Sequence, residues 1–325
     1  MTENFEFKIN YDECITNVAC SILKYFKCEY YHKTIPILDE ILSKKNPNNV
    51  ILILFDGLGS RNLDKSLDKN SFLLKNRIKE ITSVFPSTTA SSTLSIQTGL
   101  NPSEHGYLGW SNYISPIDTI IQLFLDVEKG RSPKDEKNKN FIKIKQDFLS
   151  PKKLVDIIKE KNCDTYTISP YEESNKLEEF FNKNIDKETI VIITADHGHI
   201  NCENIFLKNY SDIKELMEKN IYIENRCPMF KIKEGKKDLF KELFNKYFGE
   251  YFYLLSKEEI INRKIFGDIN FKENELFNGS LGDFMAINKN NNNKAIFGDN
   301  DFFMKSVHGG ISDDEIYIPL IVLSK

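Results

Sequence analysis

Residues 190–199 read IVIITADHGH and residues 50–59 read VILILFDGLG, and these two stretches decide the fold. In each, β-branched and other apolar residues run without a polar interruption, the pattern of a strand covered on both faces rather than one with a solvated side. Each run ends on an aspartate, Asp196 or Asp56, followed by glycine that lets the chain turn away. The pattern predicts parallel strands at 50–55 and 190–194, each with a carboxylate at its C-terminal end, the sheet edge where open α/β proteins bind ligands.

Working outward, residues 81–85 read as a further short strand. They lead into PSTTASSTLSIQTG (86–99), a Ser/Thr cluster opening a helix that begins near Ala90. Near the C-terminus IYIPLIVLS (316–324) is another apolar strand, preceded by the loop SVHGGISDDE (306–315). The alternation predicts a single α/β domain over 1–325, an α/β/α sandwich around a mostly parallel sheet. Residues 201–300 differ. Lys/Glu-rich helical patterns (SDIKELMEKN, KKDLFKELFNKYF) alternate there with short aromatic strands, as expected of an inserted cap subdomain over one side of the site. The Asn/Lys run 288–294 reads as a solvated hairpin or loop, and 132–140 as an exposed loop.

A chain of 325 residues with 40% hydrophobic and 28% charged side chains has the balance of a globular protein. Its net charge of -4 gives no global attraction to nucleic-acid polymers or anionic lipid, so any phosphate binding must come from a local site. The first residues carry no uninterrupted apolar core of a signal peptide, and no stretch approaches the roughly 18 apolar residues of a membrane span. The reading is a soluble, cytoplasmic chain. Its six scattered cysteines, without a C-x-x-C pair, are expected to be mostly buried free thiols; metal binding or cross-linking by Cys14 and Cys20 is the less favoured alternative.

Three distant features meet one physical requirement, to hold a divalent cation beside a hydroxyl and a phosphate. Asp56 offers a hard oxygen at a strand end. Taken alone it serves equally well as a helix cap. Thr89 at the head of a helix shares its small volume with unpaired backbone N–H groups and the positive end of the helix dipole, which suits a phosphate. A threonine hydroxyl needs a cation or base to become a nucleophile, and in isolation the cluster reads as an N-cap. Asp196 and His197 are adjacent at the second strand end, and a mixed oxygen and nitrogen donor set favours zinc or manganese over magnesium. Glycine-flanked His308 adds an imidazole. His32 and His105 keep the structural default, and His199 is open.

The order FDGLG, FPSTTASSTLSIQTGLNPSEHG, TADHG and VHGG resembles the type I phosphodiesterase/nucleotide pyrophosphatase family of the alkaline phosphatase superfamily, from about residue 50 to the end. The resemblance implies an alkaline phosphatase-like fold and a metal-dependent phosphoester hydrolase acting on a small phosphorylated substrate. It makes Thr89 the nucleophile, giving a phospho-threonine intermediate. Asp56, Thr89, Asp196 and His197 then form one metal site, and His308 belongs to a second that prepares the water releasing phosphate. Relatives often carry Asn three residues after the nucleophile; here Ser92 stands there, with a shorter reach to phosphate. The second site departs from the pattern, because no histidine lies between His105 and His197 where an Asp and a His four apart are usual. Glu172, Glu173, Asn175 or His199 are alternative replacements.

One ion, zinc or manganese, is therefore expected, with the second left open. A phosphodiesterase or nucleotide pyrophosphatase leads. A phosphomonoesterase, for which Arg226 or Lys305 would supply extra positive charge, is the enzymatic rival. A degenerate member that binds metal or phosphate without turnover is the alternative from another class.

Overall fold

A computed structural model describes residues 5–167, 188–289, 292–299 and 301–324. The two decisive stretches form strands β1 (Asn49–Phe55) and β3 (Thr189–Ala195), paired in parallel so that Phe55 lies beside Ala195. That register brings Asp56 and Asp196 to the same edge. Strand β2 (Arg77–Thr82) and strand β4 (Tyr317–Ser324) complete a sheet of order β1-β3-β4-β2. Because β4 runs antiparallel to both neighbours, β1, β2 and β3 all point one way and β4 alone opposes them. Strand β2 lies upstream of the expected 81–85. Three of the six residues of its sequence RIKEIT are charged and only Ile81 and Thr82 are buried, unlike the continuous apolar run of β3.

Ile190, Ile192, Ile318, Leu320 and Val322 pack against Val18 and Ile22 of helix α1 (Ile15–Tyr25), and against Leu38, Leu42, Leu154 and Ile158 from shorter helices. Ile321 is equally buried outside this cluster, so β4 is covered on both sides, as its unbroken apolar sequence requires. Fully burying one such side chain contributes roughly 1.5–3 kcal/mol.

A second sheet is antiparallel throughout. It runs in the order Phe252–Ser256, Phe284–Asn288, Pro228–Phe230, Tyr222–Ile223, Ser111–Ile114, Thr119–Gln122, Val127–Glu128. Strands from before β3 and from after it are thus knitted together. Helix Lys237–Phe248 places Phe240, Phe244 and Phe248 four residues apart on one face, against Phe230 and Phe284.

The strands on either side of the Asn/Lys run do not pair with each other. Asn288 ends one strand with its side chain fully buried, and Lys294 begins another (Lys294–Phe297) in a separate two-stranded sheet. Residues 132–138 form an exposed loop before helix Lys139–Phe148. All six cysteines are free, with Cys14, Cys20, Cys28 and Cys227 buried. Among the described residues no helix is long and apolar enough to cross a membrane.

Candidate metal centre

Thr88 caps the helix Thr89–Thr98, hereafter α2, in an extended conformation, and Ser92 N–H is bonded to Thr88 O at 3.0 Å. The N–H groups of residues 89–91 therefore head the helix without an intrahelical acceptor, at the positive end of its dipole. Nearly all of α2 is buried, and its hydroxyls find partners there. Ser91 donates to Tyr107 O at 2.8 Å, Thr98 to Leu94 O at 2.6 Å, and Ser95 meets His105 Nε2 at 3.0 Å. This engagement holds His105 to a structural part, and burial lowers its pKa to about 3. His32 is likewise tied to buried Glu104, at 2.6 Å.

Thr89 itself is half-buried, and its hydroxyl lies 3.0 Å from His197 Nε2. Asp196 Oδ2 is 3.3 Å from the same nitrogen and Asp56 Oδ1 3.6 Å. The four groups expected together are brought together. His197 Nδ1 donates to Gly198 O at 2.8 Å, which fixes the tautomer and leaves the Nε2 lone pair facing Thr89 and the carboxylates. Asp196 Oδ1 accepts from Gly57 N at 2.9 Å and His197 N at 2.8 Å, so its other oxygen is turned to the cluster. Burial pushes the Asp196 carboxyl above its usual value, with His197 opposing. Asp56 remains mostly exposed, its side chain 77% accessible, so the cluster opens to solvent on that side.

The glycines explain why three loops meet here. A Cβ on Gly59 would lie 2.7 Å from Gly198 Cα, and one on Gly198 only 1.9 Å from Asp314 O. Gly198 N also donates to Glu315 O at 2.8 Å. The loops after β1, after β3 and before β4 thus touch backbone to backbone, which side chains would forbid.

His308 stacks on His197 with ring centroids 4.0 Å apart, and His199 joins them, 5.5 Å from His197 and 5.0 Å from His308. Burial lowers the pKa of His199, and of His308 well below the usual imidazole value; the neighbouring His197 adds to both shifts. The three rings each offer a nitrogen within 4.8 Å of the others, and Asp56, Asp196 and His197 make a second such group. The fit to a cation rests on more than proximity. His199 Nδ1 and His308 Nδ1 are buried and have no hydrogen-bond partner among the described residues, and an absent ion is one physical account of such orphans.

Ser92 is fully buried. Its hydroxyl lies 2.7 Å from that of Ser83, which donates to Asp196 O at 2.5 Å. Arg226 is wholly buried in a fork-to-fork pair with Glu315 (Nε to Oε1 3.0 Å, Nη2 to Oε2 2.9 Å) and also donates to Lys294 O at 2.6 Å. It is not available to a phosphate. Burial alone would raise the Glu315 carboxyl, but Arg226 and the Ser312 hydroxyl hold it below its usual range. Lys305 is exposed. Glu172, Glu173 and Asn175 lie outside the described residues.

Sequence reasoning missed Glu224. Its Oε1 accepts from the Thr88 hydroxyl at 2.6 Å and from Trp110 N at 2.7 Å, and burial raises its pKa to about 7. Glu224 therefore anchors the residue that caps α2. A lone Glu within IYIENRC carries no signal of this.

The sheet that carries the strand-end aspartate pair, the helix-borne hydroxyl and the clustered imidazoles belongs to an alkaline phosphatase-like fold. The family model described as type I phosphodiesterase / nucleotide pyrophosphatase matches residues 50–168, so the resemblance to that family read from the sequence holds. The murine ectonucleotide pyrophosphatase / phosphodiesterase 5 structure is similar at TM-score 0.54 and 16% identity, over 84% of this chain and 87% of that one. The human counterpart gives 0.53 and 15%, over the same shares. An inactive threonine-to-alanine variant of the murine protein, solved in complex with AMP, matches at 0.52 and 16%, again over 84% and 87%. At these identities the likeness shows the fold. No curated protein sequence matches the chain.

Proposed function

We propose that the chain is a divalent-metal-dependent phosphoester hydrolase of the phosphodiesterase/nucleotide pyrophosphatase type, with Thr89 as nucleophile. The observation that carries this reading is the Thr89 hydroxyl 3.0 Å from His197 Nε2, with the Asp196 and Asp56 carboxylates 3.3 and 3.6 Å from the same atom, at the head of a helix. A zinc or manganese ion held by Asp56, Asp196, His197 and Thr89 would supply positive charge that lowers the pKa of the hydroxyl and offsets charge developing on phosphate. Thr89 Oγ1 releases its proton to solvent and forms a bond to phosphorus as the bond to the leaving oxygen breaks. That oxygen departs with the electron pair and takes a proton from solvent. Water next attacks the same phosphorus and loses a proton to solvent, while the bond from phosphorus to Thr89 Oγ1 breaks with its electron pair on Oγ1, which regains a proton. The N–H groups opening α2 face the phosphate oxygens throughout. Ser92, engaged with Ser83 behind Asp196, serves in positioning rather than as a substrate contact.

The spent guanidinium of Arg226 favours a diester over a monoester, because the second negative charge of a monoester needs a further cation. The AMP bound by the inactive murine relative points to a small nucleotide-like substrate. The test is hydrolysis of an aryl phosphodiester and of the matching aryl phosphomonoester by chelator-stripped protein reloaded with zinc or manganese, beside Thr89→Ala. Activity on the diester that falls at least 10³-fold in the variant is expected from loss of an activated nucleophile. Equal rates in the two proteins would exclude the threonine mechanism, and inactive wild type after loading would favour a binding protein.

A further inference from the structure

We propose that His199 and His308 form a second cation site made of imidazoles, in which His199 stands where the resemblance leads one to expect a carboxylate and another histidine. The inference rests on the metal-dependent reading above and goes beyond it in assigning the ligands. Its ground is local. In the sequence DHGH, Asp196 and His197 turn to the Thr89 side, Gly198 reverses the chain against Asp314, and His199 returns to within 5.0 Å, ring to ring, of His308. Both rings keep a buried Nδ1 that no described group satisfies. A buried polar nitrogen left unpaired destabilises the fold, and here two are found in neighbouring rings. Packing alone gives no reason for placing such rings together, whereas a shared ligand does.

His197 cannot serve both sites. Its Nδ1 is held by Gly198 O and its Nε2 faces Thr89, so the second ion would draw on His199 and His308 and complete its shell with oxygen from water or substrate phosphate. Room for the His199 ring is built in at the other decisive stretch. Gly57 sits at φ +69°, and a Cβ there would lie 3.0 Å from His199 Cδ2, so the first glycine of FDGLG gives the ring its berth. Two neutral imidazoles leave the ion its full double charge and select a nitrogen-preferring metal such as zinc or cobalt over magnesium or calcium.

The experiment measures cobalt and zinc bound per chain by elemental analysis, with cobalt absorption spectra, in wild type, His199→Leu, His308→Leu and Asp56→Asn. Circular dichroism checks each fold. Two ions in wild type, falling to one in either leucine variant while Asp56→Asn loses the other, is the expected result. Two ions retained in His199→Leu, or a single ion in wild type, would overturn the proposal while leaving the one-ion reading intact. No ion in wild type would overturn both. Should the leucine variants fail to fold, X-ray absorption of zinc-loaded wild type decides: three imidazoles shared by two ions support the site, and two imidazoles refute it.

Discussion

Replacing Arg226 with methionine separates two uses of a guanidinium. Arg226 and Glu315 have no exposed side-chain surface, and the pair is closed by two parallel hydrogen bonds of 3.0 and 2.9 Å. The Glu315 carboxylate also accepts from Gly310 N at 2.8 Å and from the Ser312 hydroxyl at 2.5 Å, which fixes the loop that follows His308. Arg226→Met leaves that carboxylate buried without a counter-charge, a change that costs about 3–5 kcal/mol. Against a total stability of about 5–15 kcal/mol, the variant should unfold at a much lower urea concentration with an unchanged slope. Arg226→Met with Glu315→Gln removes the stranded charge, while the neutral amide can still accept from Gly310 and Ser312. It should recover about 2 kcal/mol of the loss. Urea unfolding followed by circular dichroism at neutral pH, with all four corners of the cycle, gives the coupling. A stability loss below about 1 kcal/mol in Arg226→Met, together with a tenfold rise in KM for an aryl phosphoester, would refute the structural assignment and return the guanidinium to the substrate.

Gly198→Ala should lose about 3 kcal/mol in urea unfolding and most metal affinity, since its Cβ would fall 1.9 Å from Asp314 O, where backbone must move; unchanged affinity would mean that the three loops are not keyed together. Glu224 gives a pH signature. Its carboxyl is raised from 4.5 to about 7 in the folded protein, so the native state holds this proton longer than the unfolded one. Its contribution is full below pH 4.5 and is lost as pH rises through about 7, and Glu224→Gln should flatten stability over that window. An unaltered pH profile in the variant would show that another group titrates there.

What the sequence shows of this fold follows from how far each interaction reaches along the chain. Strand β3 was legible because burial along its length forces a continuous apolar run; β1, at the sheet edge, carries the same kind of run although only Ile51 is buried and Phe55 is exposed, so the expected cover on both faces is not found there. Their terminal aspartates were legible because parallel strands end at one edge. Strand β2 was misplaced because three of the six residues of RIKEIT are charged and the residues that follow it are more apolar. In the second sheet several strands are only two to four residues long, too short for any periodicity to register. The quartet around His197 could be anticipated from residue types at strand and helix ends. Glu224 and the Arg226–Glu315 pair could not, since each draws its meaning from partners about 90 residues or more away, at 88 and 110 for the one and 315 for the other.

Strand β4 sits between β2 and β3, although residues 196–316 separate the end of β3 from the start of β4 and the gap from β2 is longer still. A nascent chain that has emerged only as far as residue 316 therefore presents β2 and β3 with bare facing edges, open to any extended segment nearby. Cooperative closure must wait for translation to deliver 317–324, and until then no strand joins β2 to β3 or anchors the far end of the 306–315 loop. The two halves of the sheet are thus joined only by the last strand to be made, and before it is added their edges are of the kind that pairs with other extended chains.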